Sequence, residues 1–193
     1  MIKNPTNAPL NIIGDPEKPL PVYWIAISRS VNKTASSESA LFRASHLIPL
    51  ALGFILTFMP HLIGLNRHYY IEDNSFIEIS GTVLTLIGLL FAVWGRRHLG
   101  KYWSGIITLK EGHMLIRTGP YRLVRHPLYT GFLGGALGSA VTAHTYEAAF
   151  GFWLILIAYI VKIHREERLL TQKFGDEYLS FKREVKTLIP FIF

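Results

Sequence analysis

The sequence predicts an all-α polytopic membrane helix bundle, with four clear spans, a possible fifth near the N-terminus and a helical C-terminal region. Three observations carry that expectation. Half of the 193 residues are hydrophobic, and the mean hydropathy is +0.28. The charged residues, 17% of the chain, cluster between apolar runs instead of mixing with them. The apolar runs themselves approach the ~20 residues that a hydrocarbon core requires. No polar stretch is long enough to form a separate soluble domain, so residues 1–193 read as one bundle.

Composition removes several classes. With no cysteine, disulfides, thiolate metal sites and cysteine nucleophiles are excluded. The N-terminal MIKNPTNAPLNIIGDPEKPLP is polar and proline-bearing and lacks the charged-then-apolar order of a signal peptide. A net charge of +7 raises nucleic acid as a partner. No nucleic-acid motif accompanies it, and basic residues flanking spans usually report orientation and contact with anionic lipid.

Taken in order, Leu20–Val31 is apolar but short, with Tyr23 and Trp24 suited to an interface, and is either an interfacial helix or a fifth span. His46–Leu65 is the first clear span, bent or bounded by Pro49 and Pro60. Phe76–Trp94 is the second and the cleanest. Leu128–Ala143, short and glycine-rich, and Ala148–Ile163 form a tight hairpin as third and fourth spans. At about 1.5 Å per residue each arm barely crosses a ~30 Å core. The small-xxx-small pairs Gly131/Gly135 and Gly134/Gly138 let another helix approach closely, and the bulky fourth span is the expected partner.

Lysine and arginine crowd Gly95–His126 and the tail after Ile163, whereas Asn66–Ser75 holds only Arg67 and His144–Glu147 none. The positive-inside rule then puts both basic segments, and the C-terminus, in the cytoplasm. In the tail, Leu169, Leu170, Phe174, Tyr178 and Phe181 give one apolar helical face. Gly175 interrupts it, which suggests two short helices. The closing LIPFIF could tuck against the bundle or the membrane.

The chemistry concentrates at span ends. Arg117–Tyr129 reads RTGPYRLVRHPLY, and the fourth apolar run ends in His164, Arg165, Glu166 and Glu167. Ionisable groups at a lipid–water boundary are costly without partners or a task. A pocket of His, Tyr, Arg and Glu there opens to cytoplasm on one side and lipid on the other. It suits a water-soluble cofactor and a lipidic substrate, with paired glutamates matching ribose hydroxyls or an amino group. The bland alternatives are that His126 caps the third helix, that Tyr121 and Tyr129 anchor an interface, and that Glu166 and Glu167 begin a solvated helix. His98 and His46 read as interfacial.

In their order, HMLIRTGPYRLVRHPLY, then HREERLL, KFGDEYLSFKREV and IPFI resemble the isoprenylcysteine carboxyl methyltransferases and the related phospholipid methyltransferases. The resemblance is densest over residues 112–193. It implies an integral membrane enzyme whose cofactor is S-adenosyl-L-methionine and whose cofactor-binding residues are His113, Met114, Leu115, Ile116, Tyr121, His126, Pro127 and Tyr129. It further implies a contact from Glu166 or Glu167, with Glu167 favoured, and a basic residue near the substrate carboxylate, for which Lys162 and Arg165 are available. Arg165 and Glu167 are the expected catalytic pair, and no metal is expected. The implied partners are membrane lipids and a prenylated cysteine carboxylate entering from the bilayer.

A sulfonium methyl is already activated and a carboxylate is already ionised at neutral pH, so carboxyl methylation needs positioning, not a general base. A phospholipid amine acceptor would need one, from Glu166 or Glu167. An NADPH-dependent sterol reductase is a further alternative, disfavoured because paired acids do not suit a phosphate-bearing cofactor. A transporter would show repeats and broken helices. A metal-dependent oxidase would need histidines at i, i+4 spacing, which His113, His126 and His164 do not supply.

Overall fold

The computed structural model describes residues 34–37, 40–65, 68–69, 74–100, 108–110, 114–190 and 192, all within the unit Asn32–Phe193. The expected element at Leu20–Val31, and His113, lie outside the described residues. Five α-helices make up most of what is described: α1 (Ala40–Phe58), α2 (Ser75–Leu99), α3 (Pro127–Ala143), α4 (Tyr146–Phe174) and α5 (Asp176–Glu184). Single 3-10 turns cover Pro60–Ile63 and Gly119–Arg122. An antiparallel ribbon, β1 (Thr34–Ser37) with β2 (Thr108–Lys110), and an isolated bridge between Tyr69 and Thr145 depart from an all-helical reading among the described residues.

Local chemistry sets the helix ends. The Asn74 side chain accepts from Phe76 N at 3.0 Å and so caps α2. Glu78 in the first turn and Arg96, Arg97 and His98 in the last complement the helix dipole. Pro127 opens α3, where its missing N–H costs nothing. Thr145 caps α4 through Ala148 N. Of these helices, α2 and α4 are long and apolar enough to cross a membrane. By rise per residue they reach about 37 and 43 Å, against about 28 Å for α1 and 25 Å for α3.

Three expectations are corrected. The fourth span does not stop at Ile163, because HREERLLTQKF contains good helix formers and no glycine or proline. Helix α4 therefore runs unbroken over 29 residues, through both glutamates, to Gly175. Gly175 does separate it from α5, at φ +54, but the upstream piece is the continuing span and not a short tail helix. The second correction concerns the glycines. Those of α3 face α2: a Cβ on Gly131 would fall 2.5 Å from Ala92 N, and one on Gly138 2.5 Å from Gly81 O. Helix α2 carries matching glycines at positions 81 and 88, so backbone meets backbone there. Helix α4 packs against α3 through Leu133, Ile155 and Ile163, as expected, but most extensively along α1, where Gly151 meets Gly53. His46, expected at an interface, is buried at 1% exposure on α1.

The two apolar clusters lie at the end of the bundle where α2 finishes and α3 begins. Tyr121, Leu128, Tyr178 and Phe181 form one, joining the loop before α3 to α5. Leu133, Ile155, Ile163 and Leu188 form the other. Leu188 docks the C-terminal segment on α3 and α4, and Thr130 Oγ1 donates to its carbonyl at 2.8 Å.

Candidate functional site

The loop before α3 supplies the first wall. Gly119, at φ +59, lies so close to His98 that a Cβ would sit 2.6 Å from its ring, and His98 Nε2 is 2.7 Å from Thr118 Oγ1. That closeness tucks Tyr121 inward, and it is 7% exposed. Burial, and after it the Glu166 charge, push its phenol well above the ordinary tyrosine value. Leu115 and Ile116 pack on the same cluster, whereas Met114 is mostly exposed.

The loop then delivers Arg125 and His126 to α4. Arg125 is buried. Its Nε and NH2 reach Glu167 Oε1 at 2.8 and 2.7 Å. NH2 also donates to Thr187 Oγ1 at 2.7 Å, and NH1 donates to the carbonyls of Val185 and Lys182. Backbone bonds from Arg125 N to Lys186 O and from His126 N to Thr187 O lay the C-terminal segment alongside. His126 occupies the N-cap of α3 but makes no side-chain cap bond. Its Nε2 lies 3.3 Å from Glu167 Oε1, and its ring stacks on Tyr129 with centroids 5.5 Å apart.

Tyr129, two residues into the helix beyond Pro127, donates its hydroxyl to Glu166 Oε2 at 2.8 Å. Lys162 Nζ lies 5.5 Å from the centroid of the Tyr129 ring, and Lys162 is buried at 8% exposure. A cation over an aromatic face in a desolvated site is held at a cost well below that of an isolated buried charge.

The paired glutamates have different surroundings. Glu167 is 9% exposed and is gripped by Arg125, His126 and Lys182, whose Nζ is 2.8 Å from Oε2. Glu166 keeps a third of its side chain exposed. Helical geometry places Lys162 and Glu166 one turn apart on a common face. Arg165 is exposed, on a stretch of α4 whose buried positions are Lys162, Ile163 and Glu167.

The structure thus brings together Tyr121, His126, Pro127, Tyr129, Glu166 and Glu167. Met114 and Arg165 stay at the surface. Lys182, Thr187 and Tyr178 join the cluster without having been singled out. Only the tail motif FGDEYLSFKREV in the resemblance pointed toward Tyr178 and Lys182, because periodicity marks Tyr178 merely as apolar face; Thr187 lies just beyond that motif.

The model of the isoprenylcysteine carboxyl methyltransferase family matches residues 81–172. Protein-S-isoprenylcysteine O-methyltransferase A of Arabidopsis thaliana is 30% identical over 175 residues, covering 88% of this chain and 86% of the plant protein. The chain belongs to the isoprenylcysteine carboxyl methyltransferase family. The Xenopus laevis protein-S-isoprenylcysteine O-methyltransferase is 23% identical over 195 residues, covering 95% of this chain and 68% of its own. A solved structure of the eukaryotic intramembrane Ras methyltransferase of this family matches with a TM-score of 0.54 at 21% identity, covering 82% of this chain. This chain spans 55% of the length of that solved chain. The shared fold is a membrane helix bundle, and a methyltransferase of this family requires a methyl donor. The matched segment begins in α2 and ends near the C-terminus of α4, so it contains His126, Tyr129, Lys162 and both glutamates.

Proposed function

We propose that this chain is a membrane O-methyltransferase that uses S-adenosylmethionine to esterify the C-terminal carboxylate of a prenylated cysteine. The observation that carries the reading is Lys162, a buried cation held over Tyr129 one helical turn from the partly open Glu166. Few arrangements in an apolar bundle suit an anionic group on a lipid as well. Lys162, not the exposed Arg165, takes the carboxylate.

The donor set fits the proposed cofactor. Glu166 offers a carboxylate with a third of its surface open, suited to hydroxyl or ammonium groups, beside the aromatic surfaces of Tyr121 and Tyr129. Glu166 is the acid that contacts the cofactor, while Glu167 holds Arg125, His126 and Lys182 in place. Leu115, Ile116 and Pro127 complete the apolar part of the wall.

When bound, S-adenosylmethionine supplies a methyl on a sulfonium, which is already activated for displacement. Lys162 neutralises the substrate carboxylate and fixes its direction without giving up a proton. Tyr129 orders Glu166 through its hydrogen bond and supports Lys162 through its ring. Burial around Lys162 and Tyr129 excludes water from the carboxylate. The contribution of the chain is positioning and electrostatics. With four spans, the basic segments flanking this end put the site and the C-terminus on the cytoplasmic side by the positive-inside rule.

The test offers labelled S-adenosylmethionine to detergent-purified protein with N-acetyl-S-farnesylcysteine or phosphatidylethanolamine. Alkali-labile label on the farnesylcysteine is the expected outcome, because a methyl ester hydrolyses and an N-methyl group does not. Alkali-stable label confined to phosphatidylethanolamine would overturn the acceptor in favour of a phospholipid N-methyltransferase.

A further inference from the structure

The helices pack as two close pairs, and the pairs part at the end away from Tyr129. Helices α2 and α3 meet backbone to backbone through glycines, as do α1 and α4, while α1 touches α3 only briefly. Where they part lies a cavity of about 350 Å³. It is lined by Thr57 and Phe58 at the end of α1, Thr82 and Thr85 of α2, and Ser139 and Thr142 in the last turns of α3. Phe58 and Thr82 are exposed, so the cavity opens beside them. By rise per residue it lies about 15–20 Å along α3 from Tyr129. Its volume is in the range of small-ligand pockets, and no charged side chain lines it among the described residues.

The polarity of this cavity is one-sided. Each hydroxyl donates to the carbonyl one turn back on its own helix. Thr57 donates to Gly53 and Thr82 to Glu78, both at 2.8 Å. Thr85 donates to Gly81 at 3.0 Å, Ser139 to Gly135 at 2.9 Å and Thr142 to Gly138 at 3.0 Å. A hydroxyl has one proton and two lone pairs, so the cavity keeps acceptors and no spare O–H. The imbalance is sharpest between α2 and α3, where Thr85 Oγ1 and Ser139 Oγ lie 3.4 Å apart. With both protons turned to carbonyls, lone pairs face each other there, and one donor placed between them is shared by both. Packing against Gly138 and Gly81 accounts for the size of Thr85 and Thr142. It does not account for three helices each bringing a hydroxyl to one cavity.

A ligand matching this lining brings a hydrogen-bond donor, no charge, and an apolar body to lie beside Phe58. A phosphate or carboxylate would meet acceptors only, and an ammonium would be desolvated without a counter-charge. We propose that this cavity is a second lipid site, separate from the cluster around Tyr129 and Glu167. It takes an uncharged, alcohol-headed lipid of the diacylglycerol type, whose O–H donates to Thr85 and Ser139 while its chains leave past Phe58 into the bilayer.

Thermal melting of the purified protein in lauryldimethylamine oxide, a detergent without a hydroxyl, tests this with two probes. One is 1,2-dioctanoylglycerol; the other is propane-1,2-diol dioctanoate, which has the same two chains and no hydroxyl. The alcohol is expected to raise the melting temperature saturably, by about 5 °C at large excess, and the deoxy probe by no more than about 1 °C at the same concentration. In the double variant Thr85→Val, Ser139→Ala the alcohol should be needed at about tenfold higher concentration for the same shift, the effect of a lost hydrogen bond in a dry site. Should the double variant not fold, Ser139→Ala alone is read in the same way. Equal shifts from the two probes would overturn the proposal, since hydrocarbon alone would then fill the cavity. No shift from the alcohol, or a shift that persists undiminished in the variants, would overturn it as well.

Discussion

Arg125 and Glu167 meet across 42 positions of sequence through two contacts, at 2.8 and 2.7 Å, with both side chains almost wholly buried. This pair joins the loop before α3 to the long helix α4, and Arg125 extends the link to Val185 and Thr187 in the C-terminal segment. Removing the carboxylate strands a buried guanidinium. Glu167→Ala is therefore expected to destabilise the protein by about 3–5 kcal/mol, read as a large drop in melting temperature in detergent. Glu167→Gln keeps an acceptor and should lose markedly less. Equal, small losses for both would mean that the pair is not structural.

Glu166 should behave in the opposite way. It is partly exposed, and Tyr129 is its hydrogen-bond donor. Glu166→Gln preserves the shape and keeps an acceptor for the Tyr129 hydroxyl at a partly exposed position, so the melting temperature is expected to move little. Donor affinity should fall by about tenfold, because charge-assisted hydrogen bonds are roughly twice as strong as neutral ones. Calorimetric titration against Glu167→Gln decides which acid contacts the cofactor. Unchanged affinity in Glu166→Gln, with loss in Glu167→Gln, would reverse the assignment.

Much of the bundle was legible in the sequence, and the reasons are physical. Apolar runs fix where helices lie, and Gly175 fixes where one of them ends. The polar loop ahead of α3 stood out because RTGPYRLVRHPLY is too polar and too rigid to be ordinary span. What could not be read was pairing. The glycine spacing of α3 announces a close helix but not which one, and the answer lay in Gly81 and Gly88 of α2. Hydrophobicity ends at Ile163, whereas helix propensity carries α4 on to Phe174. The division of labour between Glu166 and Glu167 depends on Lys182 and Arg125, whose arrival is a tertiary fact.

Tyr121 makes alkaline pH informative. Its phenol is raised by burial, and the Glu166 charge adds to that. A folded value above the unfolded one means that its contribution to stability is fully present below the unfolded value of ~10 and is lost as pH rises beyond it. Melting temperature should accordingly fall from pH 9 to pH 10.5, with a shallower fall in Tyr121→Phe. Identical slopes in the two proteins would mean that other groups govern the alkaline transition.

The glycine contact between α2 and α3 separates two substitutions that look alike in sequence. A Cβ on Gly131 would lie 2.5 Å from both Ala92 N and Gly88 O, backbone atoms that cannot swing aside. On Gly135 the nearest atom would be Leu89 Cδ2 at 3.6 Å, an ordinary contact. Gly131→Ala should therefore cost about 1–3 kcal/mol through overpacking. Gly135→Ala should be neutral or gain up to ~1 kcal/mol from helix propensity. Thermal melts of the two variants check this, and equal destabilisation would argue against the α2–α3 register.

Lys162 tests the acceptor side independently of the donor. Its ammonium lies over Tyr129, and a carboxylate arriving there exchanges water for a cation already held in position. Lys162→Met keeps a similar apolar stem and removes the charge. The KM for N-acetyl-S-farnesylcysteine should rise by about tenfold or more, equivalent to ~1.4 kcal/mol, while donor affinity stays at the wild-type value. Lys162→Arg retains the charge and should restore much of the loss. Arg165→Met removes an exposed charge and should change the acceptor KM by less than about twofold, since surface ion pairs contribute little. A strong effect at Arg165 with none at Lys162 would move the carboxylate to the outer side of α4, and the role given to the Tyr129 ring would go with it.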